Sequence, residues 1–110
     1  MSRVFIIGPG HHNYDAASKY GTRVDVLDAK VNPFDTDALA ADLVEEMFHK
    51  LGVGPEDFIV LGGNAVLNAI AIGLMANKFD AFKLLVYGAK QRDYTARTID
   101  LAKIVSDYID

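Results

Sequence analysis

The sequence predicts a single α/β domain over residues 1–110, a four-stranded parallel sheet of the Rossmann-like or flavodoxin-like kind flanked by helices. Three observations carry that expectation. Short, nearly unbroken apolar runs recur at 4–7, 58–61 and 82–87, as in strands buried on both faces of a parallel sheet. Segments of helical periodicity alternate with them. Gly, Pro and Asn cluster at the junctions, where strand-to-helix turns fall.

The first strand spans Arg3 to Gly8, with Val4, Phe5, Ile6 and Ile7 as its apolar run, and closes at Gly8-Pro9-Gly10. Asn13 is placed to cap a short helix through Lys19, with Asp15 in its first turn and Gly21 as terminator. The second strand, Arg23 to Leu27, alternates Val24 and Val26 with Arg23 and Asp25, the pattern of a half-exposed edge. After Asn32-Pro33, Asp35 or Thr36 caps the longest clear helix. Leu39, Leu43, Val44, Met47, Phe48 and Leu51 share one face of it, Asp42, Glu45, Glu46 and Lys50 fall mostly on the other, and Gly52 ends it.

A turn at 54–57 leads to the third strand, Phe58 to Leu61, which stops at Gly62-Gly63. The helix from Asn64 to about Asn77 is apolar round most of its circumference (Val66, Leu67, Ile70, Ile72, Leu74, Met75), so it is either deeply enclosed or faces a partner. The fourth strand runs from Phe82 to Tyr87. Residues 88–94 read as a polar loop into a last helix, capped by Asp93 or Thr95, with Ile99, Ala102, Val105 and Ile109 facing inward.

Alternating strands and helices imply right-handed crossovers and a sheet covered on both sides. The polar second strand suits an edge, which favours strand order 2-1-3-4 over 3-2-1-4 and puts a switch point between strands one and three. The same order leaves the apolar fourth strand at the opposite edge. The expectation is a homodimer that covers it, through that strand or the flanking third and fourth helices.

Composition narrows the function classes. A chain of 110 residues that is 51% hydrophobic and 24% charged is that of one ordered globular domain without an internal linker. The absence of cysteine excludes a disulfide framework and all cysteine-based zinc, haem or nucleophile chemistry, and fits a reducing cytoplasm. The N-terminal apolar run is too short for a secretory signal or a membrane span and reads as a strand. A net charge of −4 argues against non-specific binding of nucleic acid. No cofactor is expected.

In a parallel sheet all strand C-terminal ends share one rim, and the candidate ligand-binding residues lie there: Gly8, Gly10, His11, His12, Asn13, Gly63, Asn64, Lys90, Arg92 and Arg97, with Asp28 and Lys30 after the second strand. Glycines let a ligand approach the backbone, helix starts after Gly10 and Gly63 offer N–H groups, and the cations suit an anionic small molecule such as a nucleotide. The alternative reading is that Gly and Asn only solve tight turns and the cations are solvated, as in any α/β protein.

Specific fingerprints are absent: Gly8-Pro9-Gly10 lacks the third glycine of a dinucleotide loop, and no Walker-type stretch exists. Adjacent His11 and His12 point different ways and lack a third ligand at helical spacing, so no metal site is expected. One of them could serve as an acid or base, with Asp28 as its partner. Ser18 and Ser106 lack elbow glycines, and Tyr14, Tyr87 and Tyr94 are candidates for stacking on a base.

Two resemblances add to this reading. The opening RVFIIGPG, the short helix and the β–α unit after it resemble the nucleoside 2-deoxyribosyltransferase-like group. That family's catalytic glutamate would fall near Asn68, which cannot act as a carboxylate nucleophile, so the resemblance implies binding without catalysis. Over most of the chain, GPGHHNYDAASKYG, VNPFD, LGGNAVLNAIAIG and YGAKQRDYTARTIDL are similar to small proteins of actinobacterial phages. That resemblance implies a phage accessory protein in the host cytoplasm and brings no catalytic residues.

The leading expectation is a non-enzymatic homodimer that binds a host protein or a small ligand. The alternative is a nucleotide- or nucleoside-binding protein, such as a small hydrolase or transferase, acting beside His11, His12, Asn64 and Arg92. A third reading has Lys90, Arg92, Arg97 and Lys103 contacting nucleic acid.

Overall fold

The computed structural model describes residues 2–10, 12–27 and 32–109. Among the described residues, five strands form one sheet in the order β2-β1-β3-β4-β5: β1 (Arg3–Ile7), β2 (Thr22–Val26), β3 (Phe58–Leu61), β4 (Ala81–Gly88) and β5 (Asp93–Asp100). The first four run parallel, with Val4 opposite both Arg23 and Phe58 and with Phe58 opposite Lys83. β5 returns antiparallel to β4, from Asp93 opposite Gly88 to Asp100 opposite Ala81.

The four-stranded, all-parallel Rossmann-like or flavodoxin-like sheet expected from sequence is therefore corrected to a five-stranded mixed sheet in an α/β domain. The difference lies in residues 93–100. Tyr94, Ala96 and Thr98 alternate with Thr95, Arg97 and Ile99, a period of two rich in β-branched and aromatic residues, and Ile99 lies opposite Phe82 on β4 instead of facing inward from a helix. Neither Asp93 nor Thr95 caps a helix. The last helix, α3 (Leu101–Tyr108), starts later, and Asp100 caps it by accepting from the Lys103 N–H.

The two sheet faces are covered unequally. On one face lie α1 (Thr36–Leu43), its π-helical continuation Val44–Lys50, and α2 (Ala65–Lys78). Between them and the sheet Phe5, Ile7, Ile59 and Phe82 pack against Leu43, Met47, Leu67 and Met75. Burying each such side chain contributes about 1.5–3 kcal/mol, and more of the large buried side chains lie on this face than on the other. The other face carries one 3-10 helix, Asp15–Tyr20, whose Ala17, with Tyr14 just before it, covers Val4, Ile6 and Val60. Asp35 and Asn64 cap α1 and α2 through side-chain oxygens, as their types and positions predict.

At the lower end of the sheet, Arg3 joins β1 to the loop before β3. Its guanidinium donates to Asp57 and to the Leu51 and Gly52 carbonyls, while Asp57 also accepts from the Arg3 and Gly54 amides. Burial pushes the Asp57 carboxyl up, but these hydrogen bonds outweigh it and hold the group below its ordinary 3.8.

β4, expected at an exposed edge, is interior, and β5 takes the edge in its place. Side chains occupy backbone groups of that strand: Asp93 accepts from the Tyr94 N–H, the Tyr20 hydroxyl donates to the Tyr94 carbonyl, and Arg97 donates to the Ala96 carbonyl. Groups covered in this way cannot template a further strand.

Candidate functional site

The connections set the site. The link from β1 to β2 passes over the face of the 3-10 helix, while those from β2 to β3 and from β3 to β4 pass over the helical face. The chain thus switches faces between β1 and β3, and a crevice lies where the segment after β1 meets the C-terminal ends of β3 and β4. Beside it β4 continues through Val86, Tyr87 and Gly88, beyond Leu85, its last partner opposite β3, and raises one wall.

An open hollow of about 320 Å³ fills this space, lined by His12, Asn13, Tyr14, Leu61, Gly62, Tyr87 and Tyr94. Three tyrosines from three parts of the chain converge on it. Tyr14 and Tyr94 are buried, whereas Tyr87 is half exposed and meets Tyr94 edge to face at 5.1 Å between ring centres. His12 stands edge-on to Tyr14 at 6.2 Å. The Tyr14 hydroxyl donates to the Pro9 carbonyl at 2.8 Å, and the Arg23 guanidinium lies over its ring, so this wall is held rigidly. Burial raises both the Tyr14 and Tyr94 phenols above their ordinary 10.0, which keeps them neutral hydrogen-bonding groups at physiological pH.

The backbone of the rim is already engaged. The Gly62 N–H donates to Asn68 Oδ1 at 3.0 Å, the Gly63 N–H to the Gly8 carbonyl at 2.9 Å, and the Leu67 N–H to Asn64 Oδ1 at 3.0 Å. A Cβ on Gly62 would come 2.1 Å from the Ile7 carbonyl oxygen, so this glycine serves the close approach of β3 to β1. Gly8, at φ +59, turns the chain out of β1 and leaves no room beside Leu67. Of the expected anion cradle at Gly63 and Asn64, the Gly63 and Leu67 amides are engaged by the protein's own acceptors. Near Gly10 the helix starts only at Asp15, and the Asp15 N–H already donates to Asn13 Oδ1. Asn13 itself lines the hollow.

The other expected residues divide. Of the ten, His12 and Asn13 line the hollow; Gly8 and Gly63 are joined by a backbone hydrogen bond next to Gly62, Asn64 caps α2, and Gly10 is exposed in a separate shallow hollow with Pro9, Asp25 and Leu27. His11 lies outside the described residues, as do Asp28 and Lys30, so the proposed pairing of a histidine with Asp28 falls there too. Lys90 and Arg92 sit on the tip of the β4–β5 hairpin, next to Tyr87 and Tyr94 in the chain, and are not part of a loop into a helix. Arg97 is mid-strand and Lys103 follows the far end of β5, so the four cations spread over roughly 25 Å, the length of an eight-residue strand. Leu61 is a lining residue that strand patterning had assigned to the core. Its half-exposed side chain follows from its place at the end of a four-residue strand.

Asn68, where the deoxyribosyltransferase-like resemblance would seat a catalytic carboxylate, is buried and structural: it accepts from the Gly62 N–H and donates to the Asn64 carbonyl. Among the described residues no three His, Asp or Glu side chains gather as a metal site, and no described helix is long and apolar enough to cross a membrane. A family model described as phage Pam3 gp32-like protein matches residues 3–101. No curated protein and no solved structure gives a match, and nothing supports the deoxyribosyltransferase-like group.

Proposed function

The chain belongs to the phage Pam3 gp32-like family, and from that premise we propose that it is an accessory protein of the infected cell that binds a small planar ligand of the nucleoside class, as a homodimer. The observation that carries this reading is the convergence of Tyr14, Tyr87 and Tyr94 with His12 and Asn13 on one hollow at the switch point of the sheet. Aromatic walls bind flat rings by stacking, and an amide and an imidazole at the margin hydrogen-bond the edges of such a ring. The rim amides at Gly62 and Gly63 already have acceptors, which favours recognition of the base over recognition of a phosphate by that turn. A phosphate, if carried, would meet Lys90 or Arg92 on the hairpin tip. The site acts in the host cytoplasm, where the ligand class is abundant.

Thermal-shift titration with nucleosides and matching nucleotides tests the proposal. A true ligand at one hundred times its dissociation constant adds about 2.7 kcal/mol of stability. Tyr87→Ala removes a half-exposed ring and leaves the core intact, yet loss of one stacked base contact weakens binding by about 1–3 kcal/mol. No shift with any base, or a shift that Tyr87→Ala leaves untouched, refutes the site. A shift confined to nucleotides and abolished by Lys90→Ala with Arg92→Ala would move recognition to the hairpin tip.

A further inference from the structure

The three tyrosines at the hollow differ in what their hydroxyls do. That of Tyr14 donates to the Pro9 carbonyl, and Tyr87 stands half exposed. Tyr94 is only 7% exposed, and among the described residues its backbone amide and carbonyl are bonded, by Asp93 and Tyr20, while its hydroxyl makes no hydrogen bond. No fully buried side-chain nitrogen or oxygen among those residues lacks a partner, so the Tyr94 hydroxyl reaches open space, and the open space that Tyr94 lines is the hollow. A polar group on a side chain so enclosed is ordinarily hydrogen-bonded.

The position of this hydroxyl is fixed before any ligand arrives. Asp93 and Tyr20 hold the backbone of Tyr94 from either side, strand pairing sets it opposite Tyr87, and the two rings meet edge to face. A group ordered in advance loses little freedom on binding. Tyr14 and Tyr94, at 4% and 7% exposure, have no open ring face to stack on, which leaves stacking to Tyr87. No Asp, Glu, Lys or Arg lines the hollow, so it offers no counter-ion to a phosphate. Its volume of about 320 Å³ lies at the lower end of the roughly 300–1,000 Å³ of small-molecule sites, which suits a single base or nucleoside.

We infer that the Tyr94 hydroxyl determines specificity in the hollow, donating to a carbonyl oxygen or ring nitrogen of an uncharged base while Tyr87 stacks on the face of that base. This rests on the nucleoside reading above and narrows it to a free base or nucleoside. A ring without an acceptor at that place would cover the hydroxyl and leave it unbonded, the strongest basis for telling similar rings apart.

Tyr94→Phe tests the assignment, because it removes one oxygen and keeps the ring, its contact with Tyr87 and the strand pairing. The probes are adenosine, guanosine, cytidine and uridine, each with its monophosphate, titrated calorimetrically against parent and variant. The nucleoside that binds the parent most tightly should lose roughly ten-fold in affinity in Tyr94→Phe. Its monophosphate should bind no more tightly than the nucleoside itself. The ligand-free variant should unfold at the parent's midpoint, since the hydroxyl has no protein partner to lose. Unchanged affinity in Tyr94→Phe beside weakened binding in Tyr87→Ala overturns this inference and leaves the base-binding reading standing. A lowered midpoint in ligand-free Tyr94→Phe places the hydroxyl in a bond within the protein and overturns it too, as does a monophosphate that binds more tightly than its nucleoside. Binding of no probe, or binding that neither variant weakens, overturns both.

Discussion

Asn68 illustrates how much one side chain can organise without touching a ligand. It is polar yet 5% exposed, and its amide spans the turn from β3 into α2 by accepting from Gly62 and donating to the Asn64 carbonyl. The geometry of the hollow floor depends on that bridge, since Gly62 lines the site. Asn68→Ala leaves a buried N–H and a carbonyl without these partners and should destabilise the fold by about 1–3 kcal/mol, measured by urea denaturation. A variant within about 0.5 kcal/mol of the parent would show that water replaces the bridge. The neighbouring Asn64, where the sequence reading begins the helix, is its N-cap and the helix itself starts at Ala65. The role of Asn68 was not legible in sequence, because a polar residue inside a helix looks the same whether it faces solvent or a turn, and only the packing of α2 on β3 decides which.

β5 and α3 show the same division at the scale of elements. Ile99, Ala102, Val105 and Ile109 fit a helical spacing, but the strand reaches Asp100 and the helix begins at Leu101, so the apparent stripe joins two elements. The period of two in Tyr94–Ile99 was present and was overridden by a longer, coarser pattern. Pairing with β4 settles the competition through a ladder of eight residue pairs. The edge so created is guarded by long-range contacts such as that from Tyr20. Combining Tyr20→Phe with Arg97→Val uncovers the Tyr94 and Ala96 carbonyls and should increase aggregation on static light scattering, while the unfolding midpoint changes little. Equal aggregation rates for variant and parent would show that these side chains do not guard the edge.

For the whole molecule, the ends of the sheet have different roles. The upper rim opens into the hollow, and the lower end is closed by Arg3 and Asp57. Since the folded Asp57 carboxyl titrates below its unfolded value near 3.8, its contribution is present above that pH and is lost as pH falls through the folded value. Asp57→Asn should lower stability at neutral pH by about 1–3 kcal/mol and make the loss of stability in acid less steep, read from denaturation curves across the pH range. Parallel curves for parent and variant would rule out this linkage. The spread of Lys90, Arg92, Arg97 and Lys103 along and beyond β5 likewise belongs to this scale, for no local reading places cations at opposite ends of a strand.

By itself the sequence determined the α/β class, the buried character of β1 and β3, the exposed character of β2, and the cap of α1. Each of these depends on burial period or on hydrogen bonds within a few residues, so the relevant physics is complete in a short window. Tertiary structure alone decided that residues 93–100 pair antiparallel with β4, that the Gly62 and Gly63 amides already have acceptors, and that Tyr14, Tyr87 and Tyr94 meet at one hollow. These outcomes rest on partners far apart in the chain. Composition lists the groups able to bond or stack, but only their placement in space determines which of them remain free for a ligand.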